Sequence, residues 1–320
     1  MNLLFLSVGT RVELLNLFRK TAKELNLTVK ITATDISELA PAVYFADNHY
    51  FIPRIGEEGY IDSIIDICLK EDIQLIIPTI DTELTILAEN REKIESKTNT
   101  KVLISSPEVI EICRDKNKTA TFLQENGFGT PHVYKEGETV NFPAFIKPYN
   151  GSASINIFKI NNEKELLFFK EYIQEPIIQE FISGDEYTVD CFLDFDSNII
   201  SIVPRLRIRT RAGEISKGKI CKDIDIIENV KRLLTVLKPI GQITIQCIKT
   251  EKGIQYIEIN PRFGGGAPMS MMAGANSSAY LYRIFQGEKL SYDESYQDNL
   301  TFLRFDNSII LDNTMNPLNR

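Results

Sequence analysis

Over the first third of the chain, short apolar runs alternate with segments in which apolar residues recur every three or four positions. Residues 3–8 form an apolar run ending at Gly9, and residues 12–25 then carry the helical period. Residues 29–33, 75–78 and 101–104 repeat the strand-like run, while 61–68 and 83–94 repeat the helical one. Strands alternating with helices at this spacing predict βαβ units, hence a parallel sheet with helices on both faces. Ligands of such sheets sit beyond the carboxyl ends of the strands, which puts Gly9, Thr10, Arg11, Asp35 and Asp81 on one rim. Asp35 stands where the ribose-binding acid of a dinucleotide site would be. The first turn, however, reads Gly9-Thr10-Arg11-Val12-Glu13 and lacks the G-x-G-x-x-G that lets backbone approach a pyrophosphate. A tight strand-to-helix turn accounts for Gly9.

From residue 107 the texture changes. A helical stretch over 108–126 carries Arg114-Asp115-Lys116 and ends at Gly127-Phe128-Gly129-Thr130-Pro131. Closely spaced strand patterns follow at 144–147, 155–160, 177–181, 187–195, 199–209, 242–249 and 254–260, with helices at 163–172 and 224–237. This succession predicts antiparallel pairing. The expected fold class is α/β and α+β: a Rossmann-like lobe at 1–108, then a two-lobed unit divided at 109–176 and 177–320, whose polar final segment from about 291 reads as a surface strand followed by a loose tail.

Composition narrows the function classes. With 43% hydrophobic and 25% charged residues, the chain has the make-up of a globular protein. No apolar stretch approaches the roughly 18 residues that span a bilayer, and the N-terminus lacks the basic leader of a signal peptide. A net charge of −8 makes nucleic acid or an anionic membrane a poor partner. Cys68, Cys113, Cys191, Cys221 and Cys247 include no CxxC pair, and His49 and His132 are the only histidines. Neither a disulfide framework, a zinc site nor a Ser-His-Asp triad is indicated, and a reducing cytoplasm is the expected address.

Four segments of the second half carry candidate chemistry. The strand ending in Lys147 runs into a turn containing Gly151-Ser152-Ala153-Ser154, where an ammonium and hydroxyls offer donors to a phosphate. Residues 177–189 read as a strand, a polar elbow and a second strand. Such an elbow exposes the backbone that an adenine edge needs, and Glu186 is suited to ribose hydroxyls, although a plain hairpin turn explains the segment as well. Glu258 and Asn260 share one strand face, with Ile257 and Ile259 on the other, and Gln246 reaches the first face from the preceding strand. Three oxygen ligands suit Mg2+. Pro261 stops the ladder, Arg262 projects beside the ligands, and Gly264-Gly265-Gly266 forms a loop able to approach an anion closely. Finally, Arg205, Arg207, Arg209 and Arg211 at period two are expected on one strand face, where mutual repulsion calls for phosphate or a substrate carboxylate. A charge-guarded edge strand is the alternative.

The order of these elements resembles the ATP-grasp superfamily, most closely a single unit of the carbamoyl phosphate synthetase large-subunit type, over roughly residues 1–290. Gln246 and Glu258-Ile259-Asn260-Pro261-Arg262 are its most specific part. The resemblance implies ATP clamped between two lobes and activation of a carboxylate as an acyl phosphate, with release of ADP, before an amine or another nucleophile attacks. By position, Lys116 and Lys147 match phosphate-contacting residues, with Ser152 and Ser154 in the phosphate loop. Gln179, Glu180, Phe181 and Ile182 match the adenine hinge, and Glu186 the ribose-binding acid. Gln246, Glu258 and Asn260 match ligands for Mg2+, with Mn2+ as a substitute, and Arg262 matches the arginine that steadies the γ-phosphate and acyl phosphate. Arg207, Arg211 and the glycine loop lie where family members close over phosphates and acceptor. In the N-terminal lobe Thr10, Arg11 and Asp81 face the substrate, with Arg11 suited to a carboxylate and Asp81 or Glu83 to an amine, although helix capping explains Asp81 nearly as well.

Two departures stand out. The phosphate loop is poorer in glycine than many relatives, and one unit without a second half argues against a complete carbamoyl phosphate synthetase. The partners implied are a small carboxylate and an amine or other nucleophile, with a homodimer paired through the N-terminal lobe. The rival readings are phosphorylation of a small acid such as carbamate or bicarbonate without ligation, and a non-catalytic ATP-binding module. Retention of Gln246, Glu258, Asn260 and Arg262 argues against the module.

Overall fold

The computed structural model describes residues 1–149, 156–211 and 213–318. β1 (Asn2–Leu6) is apolar from Leu3 to Leu6 because it lies at the centre of a parallel sheet ordered β3-β2-β1-β4-β5. Its neighbours are β2 (Lys30–Asp35), β3 (Asn48–Phe51), β4 (Leu75–Pro78) and β5 (Lys101–Val102). Leu4 and Leu6 point under α2 (Tyr60–Lys70) and α3 (Leu84–Lys97). Leu3 and Phe5 point the other way, under α1 (Val12–Glu24). β3 had no sequence signal, since it is an edge strand whose residues alternate between half-buried and exposed.

The helix expected over 108–126 is two helices, α4 (Pro107–Arg114) and α5 (Lys116–Glu125). Asp115 leaves the helical conformation between them, and its carboxylate accepts from the backbone N–H groups of Asn117 and Lys118, capping α5. A small antiparallel sheet ordered β7-β6-β8 follows, built from β6 (Ala144–Pro148), β7 (Phe158–Ile160) and β8 (Pro176–Glu180). Ala144 and Ile146 face a compact core shared with α6 (Glu163–Tyr172), so Phe145 and Lys147 are left on the opposite face.

The chain then enters a six-stranded antiparallel sheet ordered β13-β12-β9-β10-β11-β14. Its strands are β9 (Asp185–Leu193), β10 (Ile199–Arg211), β11 (Glu214–Ile220), β12 (Gly241–Thr250), β13 (Gly253–Asn260) and β14 (Thr301–Leu303). α7 (Ile224–Leu237) covers one face with Ile226, Val230, Leu233 and Leu234. α8 (Ala267–Met272) and α9 (Ser277–Phe285) return to the first sheet, so Phe263, Met271 and Leu281 share one core with Phe5 and Phe18. The tail is less loose than expected, because Ile309, Leu311 and Met315 pack against that core. No helix among the described residues is long and apolar enough to cross a membrane.

Two residues expected on the ligand rim serve the frame instead. Glu83 is fully buried and accepts from Ser7 Oγ, Tyr60 OH and the backbone N–H groups of Thr79 and Ile80. Burial pushes its carboxyl up to about 7 against the pull of those donors. With four donors already on it, Glu83 ties the end of β1 to the end of β4 and has no oxygen to spare for an amine. Asp35 accepts from Gly9 N at 2.8 Å, binding the first turn to the second strand.

Candidate active site

A cleft of about 880 Å³ runs between the small sheet, the large sheet and the carboxyl rim of the parallel sheet. Strand parity brings Phe145, Lys147 and Gln179 to it from the small sheet, with Phe145 and Gln179 directly opposite each other in register. Glu180, Phe181, Ile182 and Glu186 follow at the bend where the chain passes into the large sheet. The Phe145 and Phe181 rings lie 5.3 Å apart and, with Ile157, Ile248 and Ile257, make this end of the cleft apolar, as a purine ring requires.

Deeper in, Gln246 and Glu258 are direct partners across β12 and β13, and Asn260 and Arg262 follow along the same wall. The donors are two amides and one carboxylate, all oxygen, which fits a hard divalent cation. No convergence of three His, Cys, Asp or Glu side chains is found among the described residues. The Glu258 carboxylate forms no hydrogen bond with another described residue, yet its charge acts on Lys116, Lys147, Arg207 and Arg262. A carboxylate left open in a ring of cations would serve as a ligand for a divalent cation, which when bound would neutralise phosphate charge.

Lys147 is only 6% exposed. Burial, helped by the neighbouring Lys116, brings its ammonium down to about 8, with Glu258 pulling the other way. The protonated form therefore dominates below that value and fades above it. Nucleotide affinity is expected to fall by up to about tenfold per unit as pH rises from 8 to 9. Fluorescence titration with ATP across that range checks this, and Lys147→Arg should flatten the profile.

At the acceptor end, two ion pairs cross from the parallel-sheet domain to the large sheet. Arg262 Nη2 donates to Asp81 Oδ2 at 2.5 Å, and Arg11 Nη1 donates to Glu214 Oε1 at 2.8 Å. Burial would raise the Glu214 carboxyl, but Arg11 and Arg304 outweigh it and hold it at about 2. The glycine loop packs against these groups. A Cβ on Gly265 would stand 2.4 Å from the Glu214 carboxylate, and one on Gly266 would stand 2.7 Å from Arg205 Nη1. The absent side chains make room first for the protein's own charges.

Residues 113–266 match the family described as ATP-grasp domain, and residues 3–103 match the PylC-like, N-terminal domain. The chain carries an ATP-grasp domain behind a PylC-like one. The D-alanine–D-alanine ligase of Fusobacterium nucleatum is 27% identical over 168 residues, a match covering 50% of this chain and 48% of that enzyme. The chain thus spans about half the length of that relative. Carbamoyl-phosphate synthase of Methanobrevibacter smithii is 22% identical over 80% of this chain and 74% of its own length. Among solved structures, the biotin carboxylase domain of Hydrogenobacter thermophilus 2-oxoglutarate carboxylase has a TM-score of 0.74 at 19% identity, covering 93% of this chain and 73% of that one. It was solved as a dimer with MgADP, ADP and bicarbonate.

Two β-bulges account for where the ATP-grasp cleft departs from the sequence expectation. Gln246 pairs with Glu258 but Cys247 with Tyr256, so Ile257 is an extra residue and turns into the cleft instead of the core. On β10 the register slips twice between Arg207 and Thr210, which splits the expected arginine face. Arg205 is buried against Asp190, with Nε to Oδ2 at 2.6 Å, and Arg207 faces Glu186 across 3.1 Å. Beyond the slip Thr210 lines the cleft, whereas Arg209 is exposed and Arg211 pairs with Asp306 on the surface. Arg211 is therefore not brought to the nucleotide. Thr10 is exposed and away from the cleft lining, and Ser152 and Ser154 lie outside the described residues. Glu214, which no sequence motif marked, is found only through its two arginine partners.

Proposed function

We propose that this protein is a Mg2+- and ATP-dependent ligase that joins a small carboxylate to an amine through an acyl phosphate, releasing ADP and phosphate. The observation that carries the reading is the convergence, in one cleft, of Lys116, Lys147 and the β13 run Glu258, Asn260 and Arg262. Relatives named as ligases and a neighbour solved with MgADP support it.

A carboxylate is a poor target for nucleophiles because oxide would have to leave. A carboxylate oxygen attacking the γ-phosphorus of ATP forms a mixed anhydride while ADP departs with the bond's electron pair. The nucleophile's ammonium sheds one proton to expose its lone pair, and the nitrogen sheds a second after attack on the acyl carbon expels phosphate. Lys147 and Lys116 hold the phosphates, and Gln179 to Ile182 present the hinge to the purine. Glu186 takes the ribose, and Arg207 and Arg262 cancel charge on the transferring group. Gln246, Glu258 and Asn260 would hold the divalent cation, which when bound supplies further charge neutralisation on the phosphates. The same reading carries residence in the cytoplasm and a homodimer formed through the PylC-like domain.

The test is ADP release with Mg2+-ATP and pooled carboxylates, with and without pooled amines, and a separate reaction in which hydroxylamine replaces the amines to trap an acyl phosphate as hydroxamate. Hydroxamate, and ADP release that needs both an acid and an amine pool, is the expected result. ADP from acids alone, with no trapped or ligated product, would point to phosphorylation without ligation. AMP would overturn the acyl-phosphate route.

A further inference from the structure

We infer that Asp81 holds the incoming nucleophile and that the nucleophile is a primary ammonium compound, a reading that rests on the ligase assignment above. Asp81 comes from the PylC-like domain, is 9% exposed and lines the acceptor end of the cleft. Its Oδ2 is fixed by Arg262 Nη2 at 2.5 Å, which sets the orientation of the carboxylate. Its Oδ1 is buried and has no hydrogen-bond partner among the described residues. A buried carboxylate oxygen without a donor is costly, so one in a cleft wall marks the seat of a ligand that donates.

The neighbouring carboxylates are already committed. Glu214 is shared between Arg11 and Arg304, Glu83 is saturated by four donors, and Glu186 lies at the bend into the large sheet, where the proposed reaction gives it the ribose. Glu258 stands opposite Gln246 as a cation ligand in the proposed reaction. Asp81 is the acid at this end with an oxygen to offer. An ammonium suits it better than a hydroxyl, because both partners of the hydrogen bond are then charged.

Arg262 repeats the pattern, since its Nε is also buried without a partner among the described residues. The two orphaned atoms belong to one ion pair. A donor seated on Asp81 Oδ1 and an acceptor seated on Arg262 Nε are therefore held side by side. An amine N–H and an acyl phosphate oxygen meet that description, and their adjacency is the condition for attack.

Saturation-transfer NMR on the intact protein with Mg2+-ADP tests this, using pooled primary amines and α-amino acids alongside their N-acetylated forms. Free ammonium compounds are expected to bind at least about tenfold more tightly than the acetylated ones. Asp81→Asn should lose that preference and Asp81→Glu should keep part of it, with ADP binding as the check that each variant is folded. No preference in the wild type, or a preference that survives Asp81→Asn, would overturn the inference. A preference abolished by Asp81→Asn in a protein that forms no hydroxamate supports the ammonium site and sinks the ligase reading instead.

Discussion

Arg262→Ala is expected to lower kcat for ADP formation by roughly 10³- to 10⁵-fold, the range an arginine supplies when it neutralises a transferring phosphoryl group. The side chain is positioned from several directions. Its backbone N–H donates to Asn260 O at 2.9 Å, its guanidinium is gripped by Asp81, and Thr244 Oγ1 contacts its carbonyl at 3.4 Å. Burial would weaken the guanidinium's hold on its proton, but Asp81, Glu258 and Glu214 more than compensate, so the group stays charged throughout the working range. Single-turnover kinetics with saturating ATP measures the chemical step directly. Arg262→Lys, which keeps the charge and loses the fork, should recover only part of the rate. If Arg262→Ala turned over within tenfold of wild type while melting at a lower temperature, the arginine would be a strut for Asp81 and nothing more.

Glu258→Ala is the second large effect, a loss of about 10³-fold or more in turnover. Here the fold should be almost indifferent. The Glu258 side chain makes no hydrogen bond with another described residue, and it sits on the cleft face of β13 while Ile259 carries the packing. Melting temperature is expected to change by less than about 2 °C. Binding of Mn2+ in the presence of ADP, followed by electron paramagnetic resonance, gives a readout separate from rate, and affinity should fall by about 10- to 100-fold. Wild-type Mn2+ affinity with lost activity would move Glu258 from cation ligand to phosphate-side electrostatics.

Where the sequence could be read and where it could not has a physical basis. The central strands of the parallel sheet announce themselves because both faces are covered, which leaves only apolar side chains between Leu3 and Leu6. Glu258 and Asn260 were legible as a pair because neither residue interrupts the two-residue period of β13. The arginines of β10 misled because a one-residue slip reverses every side chain beyond it, and a bulge leaves no mark in composition. Ile257 misled for the same reason. Glu214 and Glu83 show the other limit. Each looks like an ordinary acid in the chain, and its role depends on partners far away in sequence, Arg11 and Arg304 for one, Ser7 and Tyr60 for the other.

Phe263 follows Arg262 directly, and its ring meets Phe18 of the parallel-sheet domain at 5.7 Å, edge to face. The arginine proposed to handle phosphate is thereby moored to the hydrophobic core that Phe263 shares with Phe5 and Phe18. A loosened ring at Phe18 would let the Arg262 backbone drift by fractions of an ångström, and charge cancellation on a phosphoryl group tolerates little drift. Natural variation deep under the first sheet should thus surface as slow chemistry more readily than as weak nucleotide binding. Selection on catalysis reaches into a part of the molecule that looks purely architectural.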